Sequence, residues 1–458
     1  MSFAAGPEFV STPLAILGFS VGCVIKSYNV PTGMSLKVSF AFIHVNYFMY
    51  FRSIISRFFQ SLHRGFILVS TSYPSLWSKD FVLNLLVAHL LLAGFFSLFM
   101  VVPGFIDKLG GKEWEIGVII ATFGLAGVII RPMAGKWILK SGPKRVIICG
   151  ILIFVGTTVL YIPLPSEWWI VPVRMVQGVG LAIAPVATST VVANLAPESR
   201  RGEGMSYMGN SISIAQLYAP PIGFFIADSF SFSLAFIVAS AVALAAFFVC
   251  LAMSDSKTRM PIASEEENQT SDAPLISRAA IFPTLIFLTY AFTMAPVSTF
   301  LPMLSDVREL GVNPGFYFTI LSGMTMLTTL ISGRIADRFG RSAVIVPGLI
   351  LVSMAMFMLS GAFDSSLFFG AAFLHGIGYG LIYPGINSLV VDRVKPNERG
   401  SAIGTLQQAW DIGASGGNFI VGPIIGALGV GSGFVIVGAG AATGMIGFVT
   451  GNRKSKSS

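Results

Sequence analysis

The sequence predicts an all-α membrane protein with twelve transmembrane helices in two pseudo-symmetric six-helix bundles. Three observations predict it. Of 458 residues, 54% are hydrophobic and only 11% charged, and the mean hydropathy of +0.78 leaves too little polar surface for soluble domains of this size. From residue 81 the apolar blocks recur regularly, each long enough to cross a hydrocarbon core of about 30 Å. The chain also repeats itself at a constant offset of 198 residues, with one polar interruption between the copies. A helix satisfies its own backbone in lipid, whereas a barrel would need an alternation of polar and apolar residues that is not present.

Taken in order, the blocks place spans 1 to 12 at about 81–103, 115–138, 144–163, 167–193, 203–227, 230–252, 280–302, 313–333, 343–362, 366–390, 401–425 and 430–450. The loops of one side hold eighteen Lys and Arg, and those of the other side hold three, Lys108, Lys112 and Arg308. The positive-inside bias therefore puts the C-terminus in the cytoplasm, in a multi-pass protein of the plasma (inner) membrane. The division reads as a 1–79 extension, a first half over 80–253, a cytoplasmic linker over 254–279, a second half over 280–452 and a tail over 453–458. The linker carries Glu265, Glu266, Glu267 and two prolines. The formal charge of +8 belongs to this loop asymmetry and not to a nucleic-acid surface.

Residues 1–79 hold six basic side chains and one acid, Glu8, with apolar runs too short to span. An upstream extension, a membrane-surface amphipathic segment and a targeting peptide for an organelle membrane all fit. Cys23, Cys149 and Cys250 lie far apart in apolar surroundings and read as packing residues. No metal-ligand spacing, nucleotide loop or nucleophile-base pattern occurs, so the sequence predicts no enzyme, no metal and no cofactor.

The repeat pairs Gly135 with Gly333, Gly178 and Gly180 with Gly376 and Gly378, Arg201-Gly202 with Arg399-Gly400, and Ala215 and Ala219 with Gly413 and Gly417. Span 8 runs into Gly333-Arg334-Ile335-Ala336-Asp337-Arg338-Phe339-Gly340-Arg341, which resembles the loop signature of the major facilitator superfamily. The first-half copy begins at Gly135 and carries Leu139 where the Asp belongs. Arg174-Met175-Val176-Gln177-Gly178-Val179-Gly180 resembles the superfamily's motif in helix 4. Ala215, Ala219, Pro220 and Gly223 resemble, in degenerate form, its antiporter-associated packing motif in helix 5. The resemblance covers residues 81 to 450. It implies alternating access around a site between the halves, with Asp337 latching the cytoplasmic ends together near Arg201 and Gly202, and Arg174 tuning a proton site.

Polar groups inside spans are expensive and mark function by default. Asp411 is the one acid about two turns into a span and is the first candidate proton carrier; a permanent partnership with a buried cation is the competing reading. His375 is the alternative proton group. Arg174 should face the interior and meet a carboxylate or an anion. Span 10 aligns His375, Tyr379, Tyr383 and Asn387 at four-residue intervals, span 11 carries Gln407, Gln408, Asp411, Ser415 and Asn418, and span 5 carries Asn210 and Gln216. These line the expected cavity. Asn84 and His89 add polar groups in span 1, and Arg131 in span 2 reads as an interfacial anchor. The expected activity is proton-coupled efflux of a drug-like or small amphiphilic compound by a monomer in the bilayer. Proton-linked uptake of a sugar or organic acid, and a non-transporting ligand sensor, are the alternatives.

Overall fold

The computed structural model describes residues 22–29, 35–42, 76–255, 278–394 and 399–457. The chain divides into a unit over Met1–Pro74 and a unit over Ser75–Ser458. In the first, β1 (Gly22–Asn29) pairs antiparallel with β2 (Ser35–Phe42), Lys26 opposite Val38. The rest of the 1–79 extension and most of the 254–279 linker lie outside the described residues.

The second unit is helical throughout its described residues. Helix α1 comprises Lys79–Ser97 and Val101–Lys108, broken by a turn at Leu98 to Met100. There follow α2 (Glu113–Ser141), α3 (Pro143–Leu160), α4 (Ile170–Leu195), α5 (Arg201–Ser229) and α6 (Phe232–Leu251). After the linker come α7 (Ile281–Val307), α8 (Phe316–Phe339), α9 (Ser342–Ser360), α10 (Ser365–Arg393), α11 (Arg399–Leu428) and α12 (Val430–Ser457). All twelve spans are present as helices, most of them a turn longer than the apolar blocks that predict them.

Ten of the twelve are both long and apolar enough to cross a membrane. The other two are α5 and α11, which are repeat equivalents. Both are long enough at 29 and 30 residues, but both spend a face on polar residues. A helix that turns a polar face inward must be shielded by its neighbours, and these two run where the halves meet.

The repeat is carried into the packing. Gly142 and Gly340, 198 residues apart, adopt φ of +83° and +86°, which a side chain resists, so both basic loops turn on a glycine. A Cβ on Gly180 would lie 2.8 Å from the Gly150 carbonyl, and one on Gly378 would lie 2.8 Å from the Gly348 carbonyl. These glycines let α4 touch α3, and α10 touch α9, backbone to backbone. The first half is closed at its linker end by Lys144 Nζ, which donates to the Leu251 and Met253 carbonyls at 3.0 and 2.5 Å, and by Ser254 N, which donates to Asp80 Oδ1 at 2.8 Å.

The halves meet chiefly along two pairs, α2 with α11 and α5 with α8. Both contacts run from mid-span toward the end that bears Trp114 and Trp168, whose rings lie 5.9 Å apart and stand partly exposed as in an interfacial aromatic belt. At the opposite end, where the basic loops lie, Gly135, Gly202, Gly209, Gly333 and Gly404 have open space around them, and Met205, Leu139 and Leu330 are exposed. The two halves are joined at the sparsely charged end and parted at the basic end.

Overpacking a tight helix contact costs about 1–3 kcal/mol. Gly378→Ala should therefore lower the apparent Tm of the detergent-solubilised protein, while Gly135→Ala, placed in open space, leaves it unchanged or raises it. Thermal melting followed by size-exclusion fluorescence reads both.

Candidate functional site

The centre of the structure is an ion pair between the halves. Asp411, about three turns into α11, lies against Arg131 of α2. Arg131 Nε donates to Asp411 Oδ2, and Nη2 donates to Oδ1 at 3.0 Å. The Asp411 side chain is 7% exposed and that of Arg131 is 21%. The carboxylate is therefore buried and its guanidinium is reached from one side. Arg131 is thus not an interfacial anchor, as its sequence position suggests. Proline at 132 and a place near the basic end made it look peripheral, but its side chain runs back into the span.

Glycines make the pair possible. A Cβ on Gly127 would stand 3.1 Å from Asp411 Oδ2, and one on Gly124 would stand 3.0 Å from the Asp411 carbonyl and would strike Ser415 Oγ. Further along, Gly117 lies under the Asn418 carbonyl, with Gly422 Cα 3.0 Å from the Cβ position. Asp411, Ser415, Asn418 and Gly422 follow one face of α11 at spacings of four, three and four, and that face lies on a glycine stripe of α2. Ser415 Oγ and Asn418 Oδ1 are buried there without hydrogen-bond partners. The equivalent seam on the other side has hydrogen bonds across it: Asn313 Nδ2 donates to the Pro221 carbonyl at 2.9 Å and Thr319 Oγ1 to the Leu217 carbonyl at 2.7 Å, while Ser322 Oγ, at the repeat position of Gly124, is buried without a partner.

Beside Asp411, on the adjoining face of α11, Trp410 enters an aromatic cluster of the second half. Tyr290 of α7 and Tyr379 of α10 stack at 4.8 Å with 5° between their planes, and Trp410 lies 6.2 and 6.3 Å from them. Phe287 and Tyr383 complete the group. Sequence spacing found Tyr379 and Tyr383. It missed Phe287, Tyr290 and Trp410, because an aromatic residue in an apolar helix gives no sign of which neighbours it meets. Tyr383 and Gln407 are exposed at the parted end, Gln408 is half-buried, and Asn387 donates to the Tyr383 carbonyl at 2.8 Å. On the facing half Asn210 is exposed and Gln216 half-buried.

His375 is buried at 0% exposure, with Nδ1 3.0 Å from the Tyr317 hydroxyl and Nε2 without a partner. No carboxylate among the described residues bonds it. His89 is a tie within the first half. Since a carbonyl only accepts, Nδ1 donates to Ser211 O at 2.9 Å, and Nε2 accepts from the Tyr218 hydroxyl at 2.8 Å. Asn84 donates to the Thr188 carbonyl at 3.0 Å.

Arg174 faces the interior as expected, 7% exposed, but its partner is not a carboxylate. Nη1 donates to Gln177 Oε1 at 3.0 Å, and the guanidinium lies over the Phe123 ring at 4.8 Å. Gln177 also accepts from the Tyr161 hydroxyl at 2.9 Å and donates to Thr158 Oγ1 at 3.1 Å. Arg174 Nε is unpartnered.

The model of the Major Facilitator Superfamily matches residues 85–418 and 286–457. The chain belongs to the major facilitator superfamily. Among relatives of this superfamily member, Multidrug resistance protein 1 of Bacillus subtilis (strain 168) is 25% identical over 363 residues, covering 76% of this chain and 90% of that one. The Staphylopine export protein of Staphylococcus aureus (strain Mu50 / ATCC 700699) is 23% identical over 327 residues, covering 69% and 82%. The crystal structure of the nucleoside transporter NupG superposes with a TM-score of 0.67 at 14% identity, over 81% of this chain and 99% of that one, which shows the shared fold.

The superfamily loop signature stands at the parted end. Asp337 Oδ1 accepts from Arg341 Nη1 at 2.7 Å, and Arg341 Nε donates to Asp392 Oδ2 at 2.9 Å. The two carboxylates, Asp392 foremost, hold the Arg341 guanidinium above its ordinary range. Asp337 therefore bonds within its own half and not to the start of α5, a correction to the latch expected from the resemblance. The physical reason is the separation of the halves at this end. Arg338 lies over Phe339, and Gly340 forms the turn. The packing motif of α5 is in contact: Ala215 and Ala219 are buried, Gly223 lies against the Ser97 carbonyl, and Pro220 and Pro221 meet the backbone of Gly315.

Breaking a buried ion pair by removing one partner costs about 3–5 kcal/mol, whereas replacing both with apolar residues costs far less. Arg131→Met and Asp411→Leu should each lower the apparent Tm sharply. The double variant should melt above either single one.

Proposed function

We propose that this transporter exports a small, drug-like amphiphile across the plasma membrane in exchange for protons, by alternating access, with Asp411 as the proton carrier and Arg131 as its partner. The observation that carries this reading is the Arg131–Asp411 pair itself. Among the described residues it is the ion pair that joins the two halves deep in the membrane, and its carboxylate is the one placed far inside a span. An ionised Asp411 ties α11 to α2. A protonated Asp411 has no charge to hold Arg131, and the seam it closes also buries Ser415 and Asn418 unsatisfied, so proton binding favours parting the seam.

The positive-inside bias supports a cytoplasmic basic end and C-terminus. The parted halves then open toward the cytoplasm, the side on which an exporter loads. The exposed Asn210, Tyr383 and Gln407 face that opening, and two relatives bear the names of a multidrug resistance protein and an export protein. Cargo would enter from this side while Asp411 is ionised. Once the seam has parted, Asp411 would take a proton from the far side, and loss of that proton to the cytoplasm would let the ion pair re-form and reset the transporter. Arg174, buried without a carboxylate, supplies a fixed positive field in the first half and no proton of its own.

Luminal pH in everted vesicles, followed as sugars, organic acids and cationic drugs are added outside, tests the reading. Cargo-triggered alkalinisation that Asp411→Asn abolishes is the expected result. Acidification would establish symport instead, and alkalinisation that persists in Asp411→Asn would remove Asp411 from the coupling.

A further inference from the structure

The stripe of α10 grades from exposed to sealed. Tyr383 is 39% exposed, Tyr379 is half-buried, and His375 one turn deeper is at 0%. At its closed end the His375 ring is fixed by Tyr317 at Nδ1 and flanked by the edge of Tyr290, with centroids 6.0 Å apart. Nε2 has no partner. Leaving a buried polar atom unpaired is unfavourable, so this position calls for an explanation.

The fold does not require it. The first half builds the same helix positions, 198 residues earlier, from Gln177 for His375, Leu181 for Tyr379, Leu92 for Tyr290, Ile212 for Trp410 and Ile119 for Tyr317. There the polar residue is satisfied on both atoms of its amide, by Tyr161, Arg174 and Thr158, and the four positions equivalent to the rings are aliphatic. The stacked Tyr290–Tyr379 pair and the unpartnered ring nitrogen at position 375 have no counterpart at these positions of the first half.

The slot between them is filled by Tyr379. Its ring lies flat on Tyr290, and its hydroxyl makes no hydrogen bond to any described residue, so only ring packing holds it in place. We infer that Tyr290, Trp410 and His375 form a cargo subsite for a planar aromatic ring bearing one hydroxyl or similar hydrogen-bonding group. The cargo ring takes the place of Tyr379 against Tyr290 and Trp410, and its polar group meets His375 Nε2. A hydroxyl suits either tautomer, since it both donates and accepts. Aromatic stacking and one buried hydrogen bond then supply selection without a charge on the cargo. No free carboxylate among the described residues faces the slot. His375 accordingly acts as a specificity group and not as a second proton carrier.

This subsite rests on the export reading for its occupant, but its test needs no gradient. Equilibrium binding of 2-naphthol and 2-methylnaphthalene, equal in shape, is measured on the full chain in lipid nanodiscs at one pH. The wild type should bind 2-naphthol about fivefold more tightly, the size expected of one net hydrogen bond. His375→Phe should erase that preference, His375→Gln should keep part of it, and Tyr290→Leu should weaken both ligands alike. Equal binding of the two probes by the wild type, or a preference that survives in His375→Phe, overturns the subsite; if His375→Phe does not fold, the wild-type ratio and Tyr290→Leu decide. A protein that discriminates the probes but moves no protons in vesicles keeps the subsite and loses the coupling, and the converse pattern loses only the subsite.

Discussion

A charge buried in a membrane must be neutralised, and this structure neutralises its deepest carboxylate across the boundary between its halves. Asp411 meets Arg131, 280 residues away in sequence, and much of the architecture follows from that contact. Glycines at 117, 124 and 127 strip α2 of side chains so that α11 can approach. Helix α11 gives up apolar composition to carry the pair and the polar groups beyond it. The sealed end is sealed by this seam together with the hydrogen-bonded seam of α5 and α8.

The two seams are repeat equivalents and yet differ in chemistry. Gly117 and Gly315 occupy matching positions, each against the backbone of the opposite half. Around Gly315 the seam is crossed by hydrogen bonds of Asn313 and Thr319 and by no ion pair among the described residues. Around Gly117 the seam depends on one ion pair and leaves Ser415 and Asn418 unsatisfied. Pseudo-symmetry therefore sets the frame, and departures from it set the behaviour. The same holds for α4 and α10, where a satisfied Gln177 stands opposite an unsatisfied His375.

The spans, the two halves and the repeat were legible in the sequence because each depends on local quantities, namely apolar length, loop charge and glycine spacing. Asp411 was legible because a lone acid inside a span is conspicuous. Its partner was not, since nothing near Arg131 in the chain indicates that α2 and α11 touch. Trp410 and Tyr290 were hidden for a related reason: in an apolar helix, a ring that packs on lipid and a ring that lines a cavity look alike. The Asp337 motif is visible in the sequence as a resemblance to a loop signature, but its bond depends on how far apart the halves stand, and sequence does not encode which conformation is adopted.

In the proposed mechanism the protonation state of Asp411 decides how far apart the halves stand at the basic end. Spin labels on Gly135→Cys and Gly333→Cys, positions with open space around them, placed in a background lacking the three native cysteines, report that distance by pulsed electron resonance. A long distance is expected at neutral pH and a growing short-distance population on acidification, with Asp411→Asn insensitive to pH. A pH response that is the same in Asp411→Asn as in the wild type would contradict it.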